Sequence, residues 1–267
     1  MPSPLLVRPA TPDADGRVHA VTPQSAGWTF VGFEVYDLAA GQRVARDTGD
    51  QEACIVVLSG RVKASAGAQD FGTIGGRESV FEGPGWSLYV PSKSSWAVTA
   101  EGPAEVAVCL APGTGSLPAR VIPPEEVGQE TRGKGSNTRH VRNILPDASP
   151  HAESLLVVEV VTLAGNWSSY PPHKHDRYNL PHESQLEETY YHRLNPPQGY
   201  GMQRVYTDDR SLDETVSFAD RDVVLVPRGY HPVGAPHGYD LFYLNVMAGP
   251  TRIWRFHNDP AHAWMLG

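Results

Sequence analysis

The chain has 267 residues, with 22 Lys+Arg against 30 Asp+Glu and a formal net charge of −8. That length allows one or two domains, and an acidic balance without a basic cluster excludes an ordinary nucleic-acid binder. Gly 26 and Pro 24 signal many turns, while 40% hydrophobic residues can fill a core, so the expectation is an all-β globular protein rather than a disordered one.

In chain order, the opening Met1-Pro-Ser-Pro-Leu-Leu-Val-Arg has neither a basic n-region nor a sustained apolar stretch and does not read as a signal peptide. Trp28-Thr-Phe30 alternates, the phase slips at Gly32, and alternation resumes as Phe33-Glu-Val35; a glycine at the slip predicts a bulge. Further β-type runs fall at 54–58, 61–65, 86–90, 96–99, 104–110, 155–163, 187–193, 201–206, 222–226, 241–247 and 250–256, and no stretch sustains helical spacing. Cys54 and Cys109 each lie in an apolar run and are expected as buried thiols, since two cysteines make no disulfide framework. Residues 112–152, with Pro-Gly-Thr-Gly-Ser, Ile-Pro-Pro-Glu-Glu and Arg-Gly-Lys-Gly-Ser-Asn, read as a linker. The expected division is therefore an N-terminal barrel over 1–112, a linker over 113–152 and a C-terminal barrel over 153–267. The most apolar stretch, Leu155 to Leu163, is interrupted by Glu159 and too short to span a membrane, so a soluble, cytoplasmic protein is expected.

The halves echo one another. Gly85-Trp-Ser-Leu-Tyr-Val-Pro91 and Arg221-Asp-Val-Val-Leu-Val-Pro227 are apolar runs ending in proline at the same spacing, which suggests a duplicated β module. The histidines are not duplicated. Of 11, His19 alone precedes residue 140, so any imidazole chemistry belongs to the C-terminal half. The sharpest feature is His173-Lys-His175: on a strand, i and i+2 share a face, and two imidazoles there can converge on one metal while Lys174 points away. Downstream come the acidic strand Leu186-Glu-Glu-Thr-Tyr-Tyr-His192 and then Val226-Pro-Arg-Gly-Tyr-His231. Two histidines, a carboxylate and a third histidine suit a divalent Zn, Mn or Fe.

This order resembles the cupins. Gly165-Asn-Trp-Ser-Ser-Tyr-Pro-Pro-His173-Lys-His175 is similar to the opening of the first cupin motif, and Pro227-Arg-Gly229-Tyr-His231 to the second. More finely, Ser168-Ser-Tyr-Pro-Pro-His-Lys-His-Asp, Leu186-Glu-Glu-Thr-Tyr-Tyr, Gln203-Arg-Val-Tyr-Thr and Tyr239-Asp-Leu-Phe-Tyr-Leu-Asn-Val-Met-Ala-Gly-Pro together resemble the 5-deoxy-glucuronate isomerases of myo-inositol catabolism over most of 150–267. The resemblance implies a bicupin of two tandem double-stranded β-helix (jelly-roll) barrels, the N-terminal one degenerate, with one metal site. It implies an aldose–ketose isomerase that converts 5-deoxy-D-glucuronate to 5-dehydro-2-deoxy-D-gluconate through a metal-stabilised enediolate. The expected partner is a small sugar acid, with homo-oligomerisation left open and no role for nucleic acid or membrane. The rival readings are a cupin dioxygenase and a non-catalytic sugar-binding cupin.

The implied ligands are His173, His175, His231 and one glutamate. Here the pattern departs from the general cupin order, because residues 176–187 intervene before Glu188. Glu188, directly before Thr189-Tyr190, fits the cupin position, with Glu183 and Glu187 as alternatives. Strand alternation places Glu188, Tyr190 and His192 on one face. His192, Tyr190 and Tyr243 are the candidates for carrying the proton. An anionic substrate calls for a cation, and Arg204, Arg142, Lys174, Arg228 and Arg252 are available; Arg204, Lys174 and Asn245 are the substrate-binding candidates. In the N-terminal half, Ser92-Lys-Ser-Ser95-Trp96 stands where the second motif would place a histidine.

Overall fold

A computed structural model describes residues 3–266. Its contacts divide the chain into two compact units, one of residues 9–128 and 143–157, the other of residues 3–8, 129–142 and 158–266. The segment read as a linker carries strands Arg120–Ile122, Gly128–Arg132 and Arg139–Leu145, and its residues are shared between the two units.

In the first unit, a six-stranded sheet runs in the order Arg120–Ile122, Ser87–Val90, Gln51–Ser59, Ala104–Pro112, Gly32–Leu38, Arg17–Val21. A four-stranded sheet runs Arg43–Asp47, Ser95–Ala100, Arg61–Ala66, Gln69–Gly75. Alternate residues of both sheets, among them Tyr36, Ile55, Val57, Val62, Leu88, Trp96 and Val106, form one buried cluster, as double-sheet packing requires. Cys54 and Cys109 face each other across adjacent strands as buried free thiols. Glu52, buried on the same strand, accepts the Tyr89 hydroxyl at 2.6 Å and the backbone N–H groups of Glu153, Ser154 and Leu155 at 2.8, 2.7 and 2.6 Å. Four donors compensate the cost of burying this carboxylate.

In the second unit, a seven-stranded sheet runs Leu6–Val7, Val223–Val226, Glu187–Asn195, Asp240–Ala248, Leu156–Thr162, Arg139–Leu145, Gly128–Arg132. A four-stranded sheet runs Trp167–Ser168, Val233–Gly234, Tyr200–Tyr206, Asp213–Ala219. Two ribbons complete it: His173–Lys174 with His257–Asn258, and Asp176–Asn179 with Glu183–Gln185.

Some expected strands are absent. Residues 28–30 lie outside any strand, after the short helix Pro23–Ala26, which Thr22 caps in a capping box. The slip at Gly32 is a strand start rather than a bulge; the irregularity falls in the neighbouring strand, between Arg17 and His19. Residues 250–256 form no strand either: Pro250 has no amide to give a ladder, and the Ile253 N–H turns back to the Thr251 carbonyl at 2.9 Å. No helix among the described residues is long and apolar enough to cross a membrane.

Candidate metal centre

The site grows from three pieces of backbone. His173 and His175 flank Lys174 on one ribbon, Glu188 lies near the start of Glu187–Asn195, and His231 follows the turn after Val223–Val226. That turn needs Gly229, whose φ is +92°, because a Cβ there would sit 2.4 Å from the Tyr206 carbonyl oxygen. Glu187–Asn195 and Val223–Val226 are paired with Glu188 opposite Val226, which brings the carboxylate to the turn that carries His231.

One ligating atom each from His173, His175 and His231 lie within 4.8 Å of one another, and all three residues are buried. Glu188 Oε2 lies 3.1 Å from His175 Nε2 and 3.3 Å from His231 Nε2. His175 Nδ1 donates to the Leu186 carbonyl at 3.3 Å, and His231 Nδ1 donates to the Gly229 carbonyl at 2.8 Å. A carbonyl can only accept, so both rings carry their neutral-state proton on Nδ1 and turn an Nε2 lone pair toward a carboxylate oxygen. Three acceptors facing one point repel unless a cation or an extra proton lies among them. His231 Nε2 is also a buried atom with no hydrogen-bond partner, and the donor set is that of a divalent transition metal, so these residues fit one.

Burial holds His231 down to about 4, against the opposing pull of Glu188, and places His173 well below the ordinary imidazole range with help from the two neighbouring imidazoles. Both rings are thus neutral near pH 7, the form in which an imidazole can bind a metal. For His175, burial is the largest single influence and acts downward, but the Glu188 carboxylate, which would accept from a protonated Nε2, and the neighbouring backbone carbonyls together outweigh it and raise the ring's pKa.

Other candidates divide into those at the site and those away from it. Tyr190 and Tyr243, ring centroids 4.8 Å apart, line a cavity together with Glu188, His173 and Asn245. The Tyr190 hydroxyl meets Ser169 Oγ at 2.9 Å, and the Tyr243 hydroxyl meets Ser168 Oγ at 2.5 Å. Burial raises both phenols, so they keep their protons. Asn245 donates to the Thr189 carbonyl at 3.2 Å.

His192 lies one step further from the cavity. It is stacked on Phe218 at 3.6 Å, with Nε2 3.2 Å from Gln203 Oε1. Lys174 points away from the imidazoles, as its strand parity predicts, and its Nζ binds Asp176 at 2.7 Å and Glu183 at 3.0 Å. Glu183 is thereby committed to Lys174, and Glu187 lies half-buried at the strand start. Arg204 is exposed, with both its Nε and Nη2 on Asp213 at 2.7 Å. The geometry brings Glu188, rather than Glu183 or Glu187, to the imidazoles and leaves Arg204 outside the cavity. The cations that do line it, Arg132 and Arg139, come from the stretch read as a linker. The available signal was two short runs flanking a Gly-x-Gly turn, a hairpin pattern.

Comparison with solved structures fits this architecture. A Lactobacillus farciminis oxalate decarboxylase has a TM-score of 0.65 at 13% identity, covering 97% of this chain and 89% of that one. Bacillus subtilis oxalate decarboxylase gives 0.61 at 13%, over 90% and 74%. The fold is the all-β bicupin. At much higher identity, an IolB-like protein from Salmonella typhimurium LT2 has a TM-score of 0.95 at 52%, covering 98% and 99% of the two chains. The chain belongs to the KduI/IolB family, which it matches over residues 5–265. A 5-deoxy-glucuronate isomerase of Geobacillus kaustophilus is 58% identical over 99% of this chain and 96% of its own length, and that of Bacillus subtilis strain 168 is 54% identical over 93% and 92%.

Proposed function

We propose that the protein is an aldose–ketose isomerase of inositol catabolism that converts 5-deoxy-D-glucuronate to 5-dehydro-2-deoxy-D-gluconate at a divalent-metal site. The observation that carries this reading is the buried convergence of His173, His175 and His231 beside Glu188 in a chain whose near full-length relatives are named 5-deoxy-glucuronate isomerases. Zn, Mn and Fe all suit three imidazoles and a carboxylate.

A metal held there would supply Lewis-acid polarisation of the substrate carbonyl and stabilise negative charge on oxygen as a proton leaves the neighbouring carbon. The protein's own residues hold that centre and line the cavity around it. His173, His175, His231 and Glu188 hold the centre; the Nδ1–carbonyl bonds of His175 and His231 fix their rings. Tyr190 and Tyr243, kept protonated by burial, line the cavity with their hydroxyls hydrogen-bonded to Ser169 and Ser168. They are the groups placed to exchange a proton with a substrate oxygen. Asn245, pinned to the Thr189 carbonyl, fixes a polar side of the cavity.

The test is an anaerobic assay on 5-deoxy-glucuronate without nucleotide, alongside metal analysis. Turnover without oxygen supports the isomerase. Loss of turnover when oxygen is removed supports a dioxygenase, and binding without turnover for any metal supports a sugar-binding cupin. His231→Ala should lose metal and activity together, by at least about 100-fold in affinity, while circular dichroism stays that of the wild type.

A further inference from the structure

We infer that Arg139 is the anchor for the substrate's carboxylate and the residue that selects a sugar acid over a neutral sugar. The inference rests on the isomerase reading. Arg139 opens strand Arg139–Leu145 and lines the cavity that also takes in His173, Glu188, Tyr190 and Tyr243. This cavity encloses about 20 Å³ of free space, room for roughly one water molecule and too little for a six-carbon acid. Next to it lies a pocket of about 290 Å³, lined by Lys134, Tyr170, Phe256 and others. Arg139 and His173 are common to both linings. A sugar chain that reaches the imidazoles from the larger pocket therefore passes beside the Arg139 guanidinium.

The state of that guanidinium separates it from Arg132, the other cation lining the cavity, and from Arg204, Arg142 and Lys174. Arg132 is on Glu130 at 2.6 Å, Arg204 on Asp213 at 2.7 Å, Arg142 on Glu159 at 3.4 Å, and Lys174 on Asp176 and Glu183. Each of these charges already has its acid. Arg139 Nη1 instead donates to two carbonyls, Asn137 and Tyr170, both at 3.1 Å, and among the described residues no carboxylate lies within ion-pair distance of it. Two neutral acceptors fix the plane of the fork without cancelling its charge, leaving Nε and Nη2 as parallel donors of the spacing that matches a carboxylate. Burial pushes its pKa downward, which marks the lack of compensation. An acidic protein needs such a local cation to hold an acidic substrate, and Lys134 at the pocket's rim adds a second positive charge on the approach.

The experiment compares wild type, Arg139→Gln and Arg139→Lys, each with its metal content measured, on 5-deoxy-glucuronate and on the uncharged 5-deoxyhexose of the same stereochemistry. Arg139→Gln should raise KM for the acid about 10- to 100-fold, the loss expected for a charge-assisted hydrogen-bonded pair. Metal content should stay unchanged, and the preference for acid over neutral hexose should collapse. Arg139→Lys should restore part of that preference, because it keeps the charge but not the fork.

An unchanged KM and preference in Arg139→Gln would overturn the anchor while leaving the isomerase intact. So would a wild type that turns over the neutral hexose as well as the acid, even if Arg139→Gln fails to fold. If the wild type shows no turnover at all, the isomerase reading falls and calorimetric titration with the acid decides the anchor. Binding lost in Arg139→Gln would uphold it, and equal binding or none in either protein would end it.

Discussion

His192 has an imidazole that resists protonation. Burial drives its pKa to about 3, and the Gln203 hydrogen bond recovers only part of the loss. In the unfolded chain the same ring titrates near 6.5. Between those values the unfolded state binds a proton that the folded state refuses, so stability falls as pH falls, by about 1.4 kcal/mol per pH unit for this one group. Urea titrations of metal-free protein from pH 7 to 4 should show a slope that includes this contribution beside those of His173 and His231, and His192→Phe should reduce it by about one proton's worth; equal slopes in the two proteins would refute the assignment. The sequence made His192 a candidate for proton transfer because it shares strand parity with Glu188 and Tyr190. Parity could not reveal that Phe218 lies flat against the ring, since that contact comes from a different sheet. Arg139 was illegible for the opposite reason. Its surroundings read as a linker, and only the pairing of Arg139–Leu145 into the seven-stranded sheet brings it to the cavity.

At the scale of elements, the ribbon that carries His173 and His175 is tied to the turn that carries His231. Lys174 Nζ binds Asp176 Oδ1, Asp176 Oδ2 accepts the Gly229 N–H at 2.8 Å, and the Gly229 carbonyl accepts His231 Nδ1. A buried ammonium between two carboxylates thus sets the spacing of imidazoles it never touches. Lys174→Met should leave Asp176 and Glu183 facing each other without the buried ammonium, with only the exposed Arg177, 3.9 Å from Asp176, nearby, costing about 3–5 kcal/mol. The expected readouts are a lower thermal midpoint and about 10- to 100-fold weaker metal binding, both measurable on purified protein; a midpoint within a degree of wild type would contradict the tie. The His-x-His spacing announced the imidazole pair directly, because two-residue periodicity is local. The acids that hold Lys174 were not announced, and Glu183 looked like a rival ligand until its place opposite Lys174 was seen.

Across the whole molecule, the two units use one strand plan with different chemistry. Ser87–Val90 pairs with Gln51–Ser59 just as Val223–Val226 pairs with Glu187–Asn195. Val90, before Pro91, faces Ala53, and Val226, before Pro227, faces Glu188. Four residues after the respective prolines stand Ser95 and His231. The register therefore puts a methyl group and a hydroxyl where the second unit has a carboxylate and an imidazole. The echo of the two proline-ended runs was visible in the sequence and gave the duplicated fold, since apolar strands and their punctuation are local signals. Ala53 as the counterpart of Glu188 was not visible, because that equivalence exists only in the pairing.

One edge of the seven-stranded sheet is closed by very little. Leu6 and Val7 pair with Val224 and Val223, and the Leu5 carbonyl accepts the Leu225 N–H at 2.8 Å. Beneath this short cover lies Val-Val-Leu-Val, buried along its whole length and bearing no charge. Uncovered, it is the kind of flat apolar edge that recruits strands from other molecules. Removing residues 1–8 should therefore turn a well-behaved protein into one that self-associates, with light scattering rising with concentration, and Leu225→Lys in the truncated chain should suppress it. Those few residues, nearly 220 positions from their partner strand, act as a guard against aggregation, and a tag or fusion joined at that end risks prising the guard loose.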